Sequence, residues 1–195
     1  MLMYVRRGRG FGQMSPASIQ QMIVAAANLY GVPPSIALGI AAHESGFNPN
    51  ATNFNTNGTT DYGVMQLNTS VLQTYGLTPA DALNPQTNID TAMSLLGGYL
   101  NKYGDVNTAL QAYASGPGTV ASGAPPNATA SQFINYVTNY QAPASLSLPA
   151  DSSLSYTPDL STDFTDLVDT SGTVDPVLLV GGALLAALAI FAVAS

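Results

Sequence analysis

The sequence predicts a mainly α-helical (α+β) domain with a small β-hairpin region, followed by a linker and a C-terminal hydrophobic helix. Three observations predict it. Between Ser15 and Tyr140, apolar residues recur at helical spacing in one run after another. A single polar stretch, Asn48 to Tyr62, breaks that rhythm with Asn, Thr and Gly, the residues of turns and short strands. Past Gln141 the composition turns to Ser, Thr, Pro and Asp, and then to an uncharged apolar tail. The chain thus divides into a flexible basic arm over 1–14, a domain over 15–141, an acidic linker over 142–176 and a hydrophobic segment over 177–195.

The arm is glycine-rich and lacks the continuous apolar region of a secretory signal. Ser15-Pro16 reads as an N-cap with proline at the first helical position. Ile19, Met22, Ile23, Ala26 and Tyr30 form its apolar stripe, and Gly31 ends the helix. A second helix, about Ser35 to Ser45, is apolar nearly all round and should lie in the middle of the domain. Asn57-Gly58 predicts a two-residue hairpin turn within a two- or three-stranded sheet. Short helical signals follow at about Thr69 to Tyr75. Asn84-Pro85 opens a longer helix through Leu96 to Tyr103, stopped by Gly104. Asp105 caps another through Leu110 to Ala114, ended by Ser115-Gly116-Pro117-Gly118. A last helix is expected over about Ala130 to Tyr140.

The linker carries Asp151, Asp159, Asp163, Asp166, Asp169 and Asp175 and no basic residue, so it should be extended. Val177 to Ser195 has no charge. As a helix it would extend about 28 Å, close to the hydrocarbon thickness of a bilayer, which predicts a membrane helix. Burial in an oligomer is the alternative for that segment.

Composition excludes several functions. Only 8% of the residues are charged, against about 25% in ordinary soluble domains, so Asn, Gln, Ser and Thr must supply the polar surface. The net charge is −7, and the basic residues are Arg6, Arg7, Arg9 and Lys102 alone. Broad nucleic-acid binding is therefore not expected. The chain has no cysteine and 1 histidine, which excludes disulfides and thiolate or histidine-rich metal sites. No metal or cofactor is expected.

What remains is carboxylate chemistry. Glu44 is the chain's sole glutamate and falls in the last turn of the apolar helix. Helix-end partial charge and apolar surroundings both disfavour its anion, as suits a general acid. Asp61, on the return strand of the hairpin among Thr, Asn and Tyr, would face it as the charged partner. Such a pair can cut a glycosidic bond by protonating the leaving oxygen and stabilising the oxocarbenium-like transition state. His43 is rotated about 100° from Glu44 around the helix and should point elsewhere. Gln66 is either a satisfied buried amide or a hydrogen-bonding group for a sugar acetamido side chain. Tyr113 is either core or a cleft-wall aromatic.

Several short motifs occur in a specific order: Glu44-Ser45-Gly46-Phe47-Asn48-Pro49, Gly63-Val64-Met65-Gln66-Leu67, Asn84-Pro85 with Asn88-Ile89, Ala112-Tyr113 before Gly116-Pro117-Gly118, and Tyr136-Val137. From about Ser15 to Tyr140 the chain resembles the lysozyme-like superfamily, in particular the soluble lytic transglycosylases that cleave peptidoglycan. Glu44 to Asn53 and Asn55 to Gly63 also look like the catalytic segment of animal-type lysozymes. The resemblance implies a lysozyme-like fold, Glu44 as catalytic acid/base, and a glycan cleft lined by Ser45, Met65, Gln66, Tyr113 and Tyr136. The lysozyme likeness implies Asp61 as second catalytic carboxylate. One departure is Ala114, where the transglycosylases usually have Asn.

The expected function is cleavage of the β-1,4 bond between N-acetylmuramic acid and N-acetylglucosamine, by a phage virion protein acting at the host cell envelope and membrane-associated through Val177–Ser195. Expected partners are peptidoglycan strands, the membrane and virion or secretion-apparatus proteins. The alternatives are a bacterial secretion-system transglycosylase, or a virion component that binds glycan or penetrates membrane without cutting.

Overall fold

The computed structural model describes residues 14–142. The arm before Met14, the linker after Ala142 and the hydrophobic segment Val177–Ser195 lie outside the described residues. Among the described residues, no helix is long and apolar enough to cross a membrane. The expected membrane helix is not among them.

The described residues form a mainly helical domain with one small antiparallel sheet. Helix α1 (Pro16–Leu29) begins where Ser15 accepts a hydrogen bond from the Ser18 N–H. It buries Ile19, Ile23, Val24, Ala26 and Ala27. Helix α2 (Pro34–Glu44) buries every residue from Ile36 to Ala41. An apolar element with no polar face has to be covered on all sides. Helix α1 packs on one side of it and α8 (Ala128–Thr138) on another. The α8 contact is close because position 39 has no side chain: a Cβ on Gly39 would sit 2.9 Å from the Val137 carbonyl oxygen.

Strands β1 (Thr52–Phe54), β2 (Thr60–Tyr62) and β3 (Leu67–Asn68) form an antiparallel sheet in sequence order. The turn between β1 and β2 differs from the expected two-residue type. Phe54 pairs with Thr60, and the Asn55 N–H donates to the Thr59 carbonyl. Gly58 alone takes a positive φ, +83°. Asn57 instead uses its side-chain oxygen to accept from the Thr59 N–H and hydroxyl. This local bond competes with the positive-φ geometry a two-residue turn would require of Asn57.

Helix α3 (Thr69–Thr74) follows, then α4 (Pro79–Ala82), α5 (Pro85–Tyr103), α6 (Val106–Ser115) and α7 (Pro117–Ala121). Two of these, α4 and α7, were not expected. Each is a single short turn opened by proline, below the length at which apolar periodicity is legible. The last helix starts two residues earlier than expected because Asn127 caps it, accepting from the Ala130 N–H. Helix α5 crosses the domain and contacts α1, α4 and α6. Its fully buried Ile89, Ala92, Met93 and Leu96 join the α1 and α2 side chains in one core.

Gly97 of α5 lies against the end of α1: a Cβ there would meet the Tyr30 carbonyl oxygen at 2.4 Å. Alanine at 97 gains helix propensity of about 1 kcal/mol, but two backbones must part to admit it. Gly97→Ala should therefore lower stability by about 1–2 kcal/mol net, read by urea unfolding. An unchanged midpoint would mean that α1 and α5 are not in this close contact.

Candidate active site

Glu44 closes α2, three residues past the buried run that ends at Ala41. Immediately after it the chain reverses. Gly46 and Phe47 take positive φ, 61° and 67°, and the Phe47 N–H returns to the Ala41 carbonyl at 3.3 Å. The Glu44 side chain retains only 25% exposure. Burial pushes its pKa above the ordinary glutamate value; the charge of His43 opposes that rise, and the charge of Asp61 adds to it. The direction is the one expected from sequence, and removal from water is its chief cause.

Asp61 is central in the sheet. Asn53 lies directly across from it on β1 and Asn68 on β3, which puts these side chains on one face. Oδ1 of Asp61 accepts from the Asn68 side-chain amide at 2.7 Å. Oδ2 accepts from Asn55 at 2.8 Å and, more distantly, from Asn53 at 3.5 Å. Asn53 and Asn55, from the stretch read in the sequence as turns and short strands, and Asn68 beyond it are thus the amide donors that fix this carboxylate. Its charge is felt by both Glu44 and the phenol of Tyr113, so the two carboxylates and Tyr113 occupy one site.

The turn between β2 and β3 is fastened from below. Asn88 on α5 is fully buried, and its amide spans three strands of backbone. It accepts from the Met65 N–H at 2.7 Å and donates to the Tyr62 and Ala82 carbonyls, each at 2.8 Å. Gly63 makes this possible, since a Cβ there would sit 2.5 Å from the Asn88 amide nitrogen. Ser45 braces the same turn from α2: its hydroxyl donates to the Val64 carbonyl at 2.7 Å and accepts from the Asn48 N–H at 3.1 Å.

These bonds revise some of the sequence reading. The Met65 side chain, expected to line a cleft, is fully buried. Its apolar thioether completes the core beneath the site, and its carbonyl accepts from the Tyr113 hydroxyl at 3.1 Å. The Ser45 hydroxyl is committed to backbone. Gln66, at φ 48°, turns its amide back to the Gly63 and Ala51 carbonyls at 2.8 and 3.2 Å. Tyr113 is enclosed beside Glu44; burial first, and then the Glu44 charge, push its phenol pKa well up. It is therefore a neutral hydrogen-bond donor there. Tyr136 is 44% exposed on α8, and Ala114 is exposed on α6.

The side chain of His43 does not point away from Glu44. Its Nδ1 lies 3.4 Å from Glu44 Oε1. The imidazole meets Phe133 and Tyr136 edgewise, each ring centroid 5.1 Å away, and Phe133 in turn stacks on Tyr113 at 6.3 Å. The aromatic wall of α8 turns the ring towards the end of α2. That is a tertiary effect, which the spacing along one helix could not reveal. Among the described residues, no three His, Asp or Glu side chains gather in a way that could hold a metal ion.

A match to the transglycosylase SLT domain spans residues 21–132. The chain is 36% identical to Protein IpgF of Shigella flexneri over 91 residues, 45% of this chain and 60% of that protein. It is 38% identical over 96 residues to a transglycosylase of Enterobacteria phage PRD1, 49% of this chain and 34% of that protein. A shorter stretch of 39 residues, 20% of this chain and 26% of the relative, is 54% identical to Lysozyme C-1 of Anas platyrhynchos. The chain thus spans less than two thirds of the length of each of these relatives.

Two outcomes follow for stability. Because burial raises the folded-state pKa of Glu44 above its ordinary 4.5, the folded state holds a proton that the unfolded state has released. Stability then falls as pH rises through that window. Glu44→Gln should unfold at higher urea than the wild type at pH 7, with the advantage shrinking as pH falls from 7 towards the ordinary glutamate value and gone below it. A variant less stable at pH 7 would contradict the burial of the charge. Asn88→Leu orphans the Met65 N–H and two carbonyls, and should cost about 3–5 kcal/mol in the same assay. A loss under about 1 kcal/mol would mean that water can replace the amide.

Proposed function

The chain belongs to the transglycosylase SLT domain family, and on that premise we propose that it cleaves peptidoglycan at the β-1,4 bond between N-acetylmuramic acid and N-acetylglucosamine. The observation that carries the reading is the site itself. A carboxyl whose proton affinity is raised by burial stands beside a second carboxylate fixed by amides. Glu44 donates its proton to the glycosidic oxygen as the C1–O bond breaks. Positive charge then develops on the sugar ring, where the negative charge of Asp61 favours it. The Glu44 carboxylate next takes a proton from the acceptor. If the acceptor is the sugar's own 6-hydroxyl, the product is a 1,6-anhydro ring; if it is water, the product is a reducing end.

Tyr113 holds the floor of this site through the Met65 carbonyl. Tyr136, half-exposed on α8 beside His43, would meet a sugar ring in this reading. Ser45 and Gln66 contribute by fixing the backbone that carries the site.

The similarity to a phage transglycosylase supports a virion protein that opens the host wall. The similarity to a Shigella protein supports a bacterial setting as the second reading. In either, the apolar Val177–Ser195 segment would hold the enzyme at a membrane.

The decisive experiment is mass spectrometry of purified peptidoglycan digested with the full chain, beside its Glu44→Gln variant. Anhydromuramic ends from the wild type, falling at least about 100-fold in the variant, would establish a lytic transglycosylase. Reducing ends would establish a hydrolase of lysozyme type. A folded wild type that binds peptidoglycan and releases nothing would refute the enzyme.

A further inference from the structure

We propose that His43 is a positioning residue for Glu44: its imidazole and the Glu44 carboxyl hold one proton between them, and where that proton sits sets the pH range over which Glu44 acts as an acid. The proposal rests on the reading of Glu44 as the acid/base of the site. Its geometric basis is the 3.4 Å approach of His43 Nδ1 to Glu44 Oε1. The ring is also held from behind. Phe133 and Tyr136 meet it edgewise at interplanar angles of 82° and 63°, and the close α2–α8 contact at Gly39 fixes the helix that presents them. A surface histidine without such backing would spread over several rotamers.

Among the described residues, the titratable groups around the pair are few. From α8 come Tyr136 and, ring to ring beyond it at 6.2 Å, Tyr140. From α6 and β2 come Tyr113 and Asp61, on the Glu44 side. Helix α1, packed on α2 elsewhere, contains no titratable side chain. Burial and the Asp61 charge favour the proton on Glu44, while a charged imidazole favours its release. With one proton present, either Glu44 is neutral beside a neutral ring, or the carboxylate stands beside an imidazolium. The first form is the acid that cleavage requires. The second is the arrangement left once Glu44 has given its proton away and the ring has been recharged from solvent.

Because the chain contains one glutamate, 13C-labelling of the glutamate carboxyl yields a single resonance in the full-length protein. Its pH titration would be followed in the wild type, His43→Gln and His43→Lys, along with the pH dependence of kcat and KM for release of soluble fragments from peptidoglycan. His43→Gln, neutral at every pH, should raise the carboxyl midpoint above that of the wild type. His43→Lys, a fixed positive charge, should give a midpoint below that of His43→Gln. The alkaline fall of kcat should track each carboxyl curve, with KM within about twofold. Superimposable titration curves would overturn the proposal. So would curves that separate while the three kcat profiles coincide. If the curves separate as expected but even the wild type releases nothing, the cleavage reading fails and the shared proton stands.

Discussion

A single buried amide organises the site. Asn88 projects from the long helix α5 and meets backbone on three sides, with its donors and acceptor all in use. Without those bonds the turn from Tyr62 to Met65 would bring polar backbone into the core unpaired. With them, the turn is fixed at both ends. Strand β2 is then placed, and Asp61 with it. The Val64 carbonyl is offered to Ser45, and the Met65 carbonyl to Tyr113. Most of the geometry around Glu44 is thus inherited from one side chain that does not touch it.

Glu44 is mounted in the opposite way. Its support is the apolar helix α2, whose interior residues are covered by α1 and α8. Apolar burial carries no directional demand, but it removes water from the helix end, and that is what raises the carboxyl's proton affinity. Ionising Glu44 there therefore costs the folded state stability. One carboxylate is thus held by hydrogen bonds and the other conditioned by desolvation. Environments that differ in kind allow two like groups to take different roles.

Much of this was legible in the sequence. Helices α1, α2, α5 and α6 followed from periodicity and from Ser15, Pro16, Gly104 and Asp105, because caps and stripes are local signals. The end of α2 at Glu44 and the place of Asp61 on a return strand were local too. The roles of Asn53, Asn55 and Asn68 were not. An asparagine in a polar stretch looks the same whether it makes a turn or holds a carboxylate across a strand. His43 was misread for a related reason: its direction is imposed by Phe133 and Tyr136, about ninety residues along the chain. Met65 and Ser45 sit inside motif segments, yet one is core and the other a backbone brace. A motif marks where a site lies without saying which atoms face the substrate.

The contrast between the two supports reaches as far as temperature. Exposing apolar surface raises the heat capacity of unfolding, whereas exposing polar groups lowers it. The cohesion of α1, α2 and α5 should therefore follow a dome, weakening on cooling as well as on heating. The outer strand β1, wholly exposed and tied to Asp61 through Asn53, buries little apolar surface of its own, so its opening should carry a small heat-capacity change. Its local stability should vary with temperature along a nearly straight line. Glu44 and Asp61 thus stand on foundations that obey different thermal laws.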